Sequence, residues 1–174
     1  MSVSYTSFND NGDWLIENCA NEERDNIIII TKKILEEHAN PYLENWENLT
    51  FFEIATKINI ALKWKILKSV MSLNLSGQKL TYFPERVIHW IPNVETLDLS
   101  NNNLRELPKK LSSLSHLRTI NFANNPHLQL EPKFFEEFQD CSFEVPFTIF
   151  ISEDQQRMAE TFTDLPTYCQ IYLI

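Results

Sequence analysis

The chain has 174 residues, of which 43% are hydrophobic, and its formal net charge is −9. This length and composition predict one globular domain with a sizeable core, and the acidic balance excludes the basic footprint that nucleic-acid binding requires. The longest purely apolar run, Ile27 to Ile30, is too short to span a membrane. We therefore expect neither nucleic acid nor a membrane as a partner.

The first third of the chain predicts helices. Residues 1–12 are polar and are expected to form a flexible tail. Residues 13–69 are expected to form an α-helical N-terminal cap, in which apolar residues at helical spacing predict one helix from about Glu22 to His38. Thr50 and Glu53 form a capping box that opens a further helix. Such a cap covers apolar side chains that the first of a set of repeats otherwise exposes to water.

Residues 70–138 contain an apolar pattern that repeats along the chain. The rows begin at Val70, Val94 and Leu117, so the offsets are 24 and 23 residues. The second row follows the pattern L-x-x-L-x-L-x-x-N-x-L and the other two approximate it. In this pattern, apolar residues two apart lie on one face of a short strand. No row can bury its apolar residues alone. The rows are therefore predicted to stack into a short α/β solenoid of about three repeats.

Asparagine occupies the ninth position of the second and third rows, at Asn102 and Asn125, whereas the first row has Gln78. A buried corner of the chain exposes backbone N–H and C=O groups that need partners. An asparagine amide both donates and accepts hydrogen bonds, so we expect each asparagine to pair with the backbone of its own turn and of the next. Asn102 and Asn125 are therefore predicted to be structural.

Residues 139–174 depart from the repeat and are expected to form a C-terminal cap. Two segments are strand-like, Phe147 to Ile151 and Tyr168 to Leu173. Between them Ser152 and Gln155 form a second capping box that opens a helix. The prediction is a β-α-β cap at the end of the solenoid, whose last strand could present an exposed edge.

The residues between the strand leucines are predicted to point to the concave face of the solenoid. This face is small and polar, and it has few of the large apolar side chains that usually supply binding hot spots. We expect a modest-affinity contact with a partner protein, and plain solvated surface is the alternative interpretation. The predicted contact residues are Asn74, Ser76, Glu95, Thr96, Asp98, Ser100, Arg118, Thr119, Asn121 and Ala123.

The sequence shows no persuasive catalytic or metal-binding constellation. Only two glycines, Gly12 and Gly77, are present, too few for a phosphate-cradling loop, and the four histidines show no ligand spacing. We therefore expect no enzyme activity, no cofactor and no metal ion. A small thiol enzyme using Cys141 or Cys169 is the least favoured alternative, because no histidine adjacent to Cys141 supplies the base that a reactive thiol needs.

The cysteines and the N-terminus bear on the compartment. Cys19, Cys141 and Cys169 lie far apart without paired spacing, which argues against a disulfide framework and indicates a reducing environment. The polar segment Met1 to Asn11 has no apolar secretory core, so no classical signal peptide is expected. The sequence thus favours the cytoplasm.

The rows SLNLSGQKLTYFP and TLDLSNNNLRELPKKLSSLSHLRTINFANNP closely resemble cytosolic leucine-rich repeat proteins. A helical segment followed by few repeats is similar to small leucine-rich repeat proteins of intracellular bacteria, including candidate secreted effectors. The resemblance implies a non-catalytic module that binds an unidentified protein in the cytoplasm, or after secretion into a host cell without a classical signal peptide. The alternative is an adaptor whose helical cap recruits a second protein, such as the ubiquitin machinery. The oligomeric state stays open.

Overall fold

The computed structural model describes residues 21–38, 67–106, 108, 110–129, 134, 147–155 and 169–174. Helix α1 spans Asn21–His38, in agreement with the helix predicted from about Glu22 to His38, and a short helix α2 spans Glu85–Trp90. The predicted tail and the Thr50 capping box lie outside the described residues. Single 3-10 turns lie at Leu67–Ser69 and Leu111–Ser113. The strands in the described ranges are β1 (Ser72–Asn74), β2 (Thr96–Asp98), β3 (Thr119–Asn121), β4 (Phe147–Ile151) and β5 (Cys169–Leu173).

The strands lie side by side in one parallel sheet, in the order β1-β2-β3-β4-β5. Leu73 pairs in register with Leu97, which pairs with Ile120, and Ile149 and Ile171 continue the same column. Parallel neighbours in chain order require the chain to return to the same end of the sheet before each new strand. We call a strand with its return segment a row. The parallel sheet and its accompanying helices confirm the α/β class.

β4 and β5 come from residues 139–174, the segment predicted to be a separate C-terminal cap. Both strands form within the predicted ranges and pair in parallel with each other, as a β-α-β unit requires. β4 also pairs in register with β3. The sheet of the repeats therefore continues without a break into this segment, so the rows and the predicted cap share one sheet.

The inward side chains of the strands fill the core in columns. Leu73, Leu97 and Ile120 are fully buried, and Ile149 beside them is 1% exposed. Burying one such side chain contributes roughly 1.5–3 kcal/mol, so stacking the rows supplies the burial that a single row lacks. A second buried column follows two residues later along each strand and consists of Leu75, Leu99, Phe122 and Ile151.

Asn102 and Asn125 are buried at the corners that follow β2 and β3. Asn102 Oδ1 accepts a hydrogen bond from the Leu80 N–H at 2.9 Å, and its Nδ2 donates to the Leu75 carbonyl at 2.9 Å. Asn125 makes the equivalent bonds one row later. Each amide also bonds the backbone of its own turn. The bonds between rows go to the preceding row, not to the next turn as expected, because each corner packs onto the row before it.

In the fourth row, which begins with β4, Gln155 makes bonds between rows, as Asn102 and Asn125 do in the second and third rows. It is 2% exposed, and its Nε2 donates to the carbonyls of Phe122 at 3.3 Å and Asn125 at 3.2 Å. Its Oε1 accepts from the Ser152 N–H at 3.0 Å, which is one of the two bonds of a capping box. One longer amide side chain therefore both caps the helical turn after β4 and links that row to the preceding one.

α1 packs against the first row. Its side chains Ile27, Ile30 and Ile34 are fully buried and belong to the same core as the strands. Asn26, also buried, adds polar contacts: its Oδ1 accepts from the Thr81 N–H at 3.1 Å, and its Nδ2 donates to Thr81 Oγ1 at 3.0 Å. α1 thus supplies the first row with both apolar cover and a backbone partner, as the other rows receive from their neighbours.

Candidate protein-binding face

The outward side chains of the strands form one surface, which we call the strand face. It contains five of the ten residues that the sequence placed on a concave face, and the other five lie just before or after the strands. Because successive residues of a strand point to opposite sides of the sheet, two columns of outward side chains cross all five strands. The first column is Ser72, Thr96, Thr119, Thr148 and Gln170. The second column is Asn74, Asp98, Asn121, Phe150 and Tyr172.

The first three residues of the second column each close a turn at the end of their strand. Asn74 Oδ1 accepts from the Ser76 N–H at 2.9 Å, and Asp98 Oδ1 accepts from the Ser100 N–H at 2.9 Å. Asn121 Oδ1 makes the same bond to the next-but-one residue at 3.0 Å. Asx side chains favour this local bond. One oxygen of each side chain therefore stabilises the fold.

Of the ten predicted contact residues, Asn74 and Arg118 are exposed, six are half-buried and two are buried. Ser100 is 5% exposed and Ala123 is fully buried. The Ser100 hydroxyl is hydrogen-bonded to Ser76 Oγ at 2.9 Å, beneath the exposed Asn101. Ser100 and Ala123 were thus wrongly included in the contact surface, because the chain turns inward at the end of the strand. The accessible residues are Asn74, Ser76, Glu95, Thr96, Asp98, Arg118, Thr119 and Asn121.

A left-handed residue follows these turns in each of the first three rows. Gly77, Asn101 and Asn124 have φ angles of 70°, 55° and 58°. Glycine adopts this conformation freely, and asparagine tolerates it best among the other residues. Asn124 Nδ2 donates to Asn101 Oδ1 at 3.1 Å, and Asn101 Nδ2 donates to Ser76 Oγ at 3.0 Å. These amides therefore form a polar border along one side of the strand face.

Glu95 and Arg118 lie just before the first column, in neighbouring rows. Glu95 is half-buried and Arg118 is exposed. The Glu95 carbonyl accepts from the backbone N–H groups of Arg118 at 2.8 Å and Thr119 at 3.0 Å, which links the two rows at the start of their strands. The charged groups of the face are therefore of both signs, since Glu95 and Asp98 are acidic and Arg118 is basic.

The strand face ends in two aromatic residues that the sequence reasoning missed. Phe150 and Tyr172 are in-register neighbours on β4 and β5, with ring centroids 5.7 Å apart and ring planes at 31°. The Tyr172 ring is fixed by its hydroxyl, which donates to Gln170 Oε1 at 3.1 Å, and the residue is 48% exposed. The signal was the alternation in FTIFI and CQIYL, which assigns Phe150 and Tyr172 to the side opposite the buried isoleucines.

The described residues offer little for catalysis. No three His, Cys, Asp or Glu side chains come together as metal ligands in the described part of the chain. Burial raises the pKa of the Cys169 thiol from 9.0 to about 11, which suppresses the thiolate that a nucleophile needs. Cys141, the other candidate thiol, lies outside the described residues. Neither of the described helices has the length and apolarity that a membrane crossing requires.

Comparison with known proteins identifies the repeat segment. Residues 68–126 match the family model described as leucine rich repeat. The chain is 33% identical over 69 residues to leucine-rich repeat-containing G-protein coupled receptor 5 of Xenopus tropicalis, which covers 40% of the chain and 8% of the receptor. It is 33% identical over 70 residues to chaoptin of Drosophila melanogaster, covering 40% of the chain and 5% of chaoptin. No solved structure matches the chain at a comparable level.

A third relative belongs to a different kind of protein. The chain is 43% identical over 54 residues, 31% of its length, to the probable serine/threonine-protein kinase roco11 of Dictyostelium discoideum, but only 4% of roco11 is covered. The chain thus spans less than a tenth of the length of these relatives. What they share with it is the leucine-rich repeat segment, a fold that is typically non-catalytic and typically mediates protein contacts.

Proposed function

We propose that this chain is a non-catalytic module that binds a partner protein through the strand face. The aromatic pair Phe150 and Tyr172 is the apolar anchor of the contact, and the polar columns beside it supply orientation. Asp98 and Asn121 each keep polar atoms beyond those that close the turns. The protein partner is unidentified, and its binding needs no cofactor.

The observation that carries this proposal is the continuity of the columns. In-register pairing extends the second column from Asn121 to Phe150 and Tyr172, so polar and aromatic side chains share one rigid sheet. Binding hot spots are usually large aromatic side chains surrounded by polar groups that exclude water. The strand face has this composition, which the first three rows alone lack.

The test is an affinity capture from bacterial and host-cell lysates, followed by titration of the captured protein. Tyr172→Ala and Phe150→Ala each remove a ring but leave the backbone pairing of β4 and β5 in place. Truncation of a hot-spot aromatic costs about 2 kcal/mol or more, so we expect each variant to weaken binding at least about 30-fold. Asp98→Asn keeps the oxygen that closes the turn and removes only the charge, so it measures how much of the binding free energy depends on that charge.

The control is His89→Ala, an exposed side chain on α2. It should leave binding unchanged, and circular dichroism should be the same for all variants. Full binding by both aromatic variants would refute the proposal that the strand face is the contact surface. Equal losses in all variants including His89→Ala would indicate a general loss of structure instead.

We further propose that the chain acts as a small bacterial effector in the cytoplasm of a host cell. This is supported by the resemblance of a helical segment followed by few repeats to such proteins, and it goes beyond the repeat segment shared with the relatives above. A reporter enzyme that is active only in host cytosol, fused to the chain and expressed in an infecting bacterium, tests it. Host-cell signal is expected, and its absence while the fusion is expressed would contradict export.

The adaptor alternative gains no specific support from the described part of the helical segment. The apolar side chains Ile27, Ile30 and Ile34 of α1 face the core, and its exposed residues include Glu22, Arg24, Asp25, Glu36 and Glu37. A recruiting helix presents an apolar stripe to its partner. The apolar stripe of α1 is already buried against the first row and is not exposed to a partner.

A further inference from the structure

One edge of β5 carries backbone groups that do not point toward the rest of the sheet. The Ile174 N–H donates to the Ile151 carbonyl at 3.0 Å, so Ile174 faces β4. Backbone groups alternate in direction along a strand, and the two groups of one residue point to the same side. Tyr172 and Gln170 therefore also face β4, whereas the N–H and C=O groups of Cys169, Ile171 and Leu173 point outward.

This edge lacks the features by which proteins usually protect an open strand. β5 has the sequence CQIYL, with no charged residue and no proline. Tyr172, Leu173 and Ile174 are 48%, 45% and 62% exposed, and with Met71 they are the large hydrophobic residues exposed in the described part of the chain. Ile171, which continues the buried column, is only half-buried. An apolar, uncharged edge of this kind favours pairing with a further strand.

We propose that β5 pairs antiparallel with β5 of a second copy of the chain, so that the two copies form a closed dimer. Pairing centred on Ile171 sets Ile171 opposite its own symmetry mate and Cys169 opposite Leu173 of the second copy. Those are the residues whose N–H and C=O groups point outward, so every outward group of the strand gains a partner. Gln170 and Tyr172 of the two copies then face each other as a side-chain pair on the strand face.

The second copy fits because β5 is complementary to itself. An antiparallel pair about a two-fold axis repeats the same contacts in both directions, and β5 sets no like charges opposite each other. The apolar residues Cys169, Ile171 and Leu173 meet only one another on the core side. The core columns of one copy are thereby continued by those of the other.

Growth beyond two copies is blocked at the opposite end of the sheet. The residues of β1 that face away from β2 include Ser72, and His38 Nε2 lies 3.0 Å from the Ser72 carbonyl. The buried apolar side chains of α1 lie in the core at the same end. Because His38 already partners an outward carbonyl of β1, we expect no strand of another copy to pair there, so that the contact closes at two copies and does not propagate into a filament.

The dimer would also change the proposed binding surface. A two-fold axis perpendicular to the sheet keeps both strand faces on the same side, so the sheets join into one. The Phe150 and Tyr172 pairs of the two copies then lie together near the centre of the joined face, where hot spots usually cluster. Dimerisation itself, however, does not depend on partner binding and is tested without a partner.

The experiment is sedimentation analysis of the full chain across a range of concentrations, with Leu173→Pro as the test variant. Proline removes the outward Leu173 N–H while leaving the groups that bond β4, and Leu173→Ala is the matched control that shortens the side chain but keeps the N–H. We expect a monomer–dimer equilibrium for the unchanged chain. Leu173→Pro loses a hydrogen bond at each of two symmetric positions, so its dissociation constant should exceed that of Leu173→Ala about tenfold or more.

Amide hydrogen exchange supplies a readout that does not depend on the variants. At high protein concentration the N–H groups of Cys169, Ile171 and Leu173 should become protected, while those of Gln170 and Tyr172, which face β4, should be protected at all concentrations. A chain that stays monomeric, a dimer without this alternating protection, or species that grow beyond two copies would each overturn the proposal. A dimer formed equally well by Leu173→Pro and Leu173→Ala would do the same.

Discussion

Replacing Asn125 by alanine is predicted to destabilise the chain far more than the same change at Asn121, four residues earlier in the same row. Asn125 is fully buried, whereas Asn121 is half-buried on the strand face. Asn125 Oδ1 accepts from the Leu104 N–H at 3.0 Å, and its Nδ2 donates to the carbonyls of Leu99 at 2.9 Å and Phe122 at 2.8 Å. Asn121 makes one such bond, at the accessible end of β3.

The magnitude follows from the groups that lose a hydrogen bond. Asn125→Ala leaves the buried Leu104 N–H without a partner, which costs about 1–3 kcal/mol. The carbonyls of Leu99 and Phe122 each lose one donor but keep a second, Asn102 Nδ2 and Gln155 Nε2. We expect a total loss of about 2–4 kcal/mol. Asn121→Ala removes one bond that water can replace, so we expect about 0.5–1.5 kcal/mol. The first loss is a large fraction of the roughly 5–15 kcal/mol of a typical domain.

Urea unfolding followed by circular dichroism measures both variants on the same scale. Asn125→Asp is the second control, because it keeps the accepting oxygen and the side-chain shape but replaces the donor that serves the carbonyls. It should be at least as destabilising as Asn125→Ala, since a carboxylate oxygen would then face carbonyl oxygens in a buried site. Equal effects of Asn125→Ala and Asn121→Ala would refute the reasoning that the buried amide holds adjacent rows together.

Two further predictions concern a strained lysine and the half-buried thiol. Lys79 has φ 62°, a conformation that disfavours any residue with a Cβ, so Lys79→Gly should raise the free energy of unfolding by about 0.5–1 kcal/mol. Lys68→Gly, at an exposed lysine without positive φ, is the control and should lower it. Thermal melting measures both variants, and equal effects would contradict the strain argument. Burial raises the pKa of Cys169 to about 11, so its alkylation by iodoacetamide should still accelerate between pH 9 and 11. At pH 8 the reaction, read by mass spectrometry of the Cys169 peptide, should be about 100-fold slower than in the urea-unfolded chain. Alkylation that levels off near pH 9 in the folded chain would contradict the raised pKa.

The rows of the solenoid were predictable from sequence because their signals are local and redundant. In row two, for example, Leu97 and Leu99 mark the strand and Asn102 marks the corner, all within six residues. The helix from Asn21 to His38 was predictable for a similar reason, since Ile27, Ile30 and Ile34 repeat at helical spacing. Agreement between period, composition and corner residue specifies such elements strongly.

The fourth and fifth rows were harder because their residues and spacing depart from the template. Thr119 of β3 pairs with Thr148 of β4, 29 residues later, whereas the partners in the first three rows lie 24 and 23 residues apart. The corner amide is Gln155, where the second and third rows have asparagine. FTIFI alone predicts a strand but not which strand it joins, because register in a parallel sheet is set by packing between rows. The aromatic part of the strand face was missed for that reason.

The predicted contact residues show a second limit of prediction from sequence: the sequence does not reveal that a surface side chain also closes a turn. From sequence, Asp98 and Asn121 are polar residues on a strand and read as free to bind a partner. In the fold each gives one oxygen to close the turn that ends its strand, as Asn74 does in the first row. A substitution that removes this oxygen weakens the turn and the surface together. Asn-for-Asp exchange at position 98 separates the two roles, because only the charge changes.

Specificity for a partner should therefore depend mainly on outward residues whose side chains do not close a turn. The first column is such a place, since Thr96, Thr119 and Thr148 lie at or next to the start of their strands, away from the turns that end them. The far end of the second column is another. Phe150 has no side-chain oxygen with which to close its turn, and there the Ser152 N–H is satisfied by Gln155 instead. Because Gln155 makes this turn bond in place of the strand residue, position 150 can hold an aromatic ring, and the strand face can carry the apolar anchor that we propose.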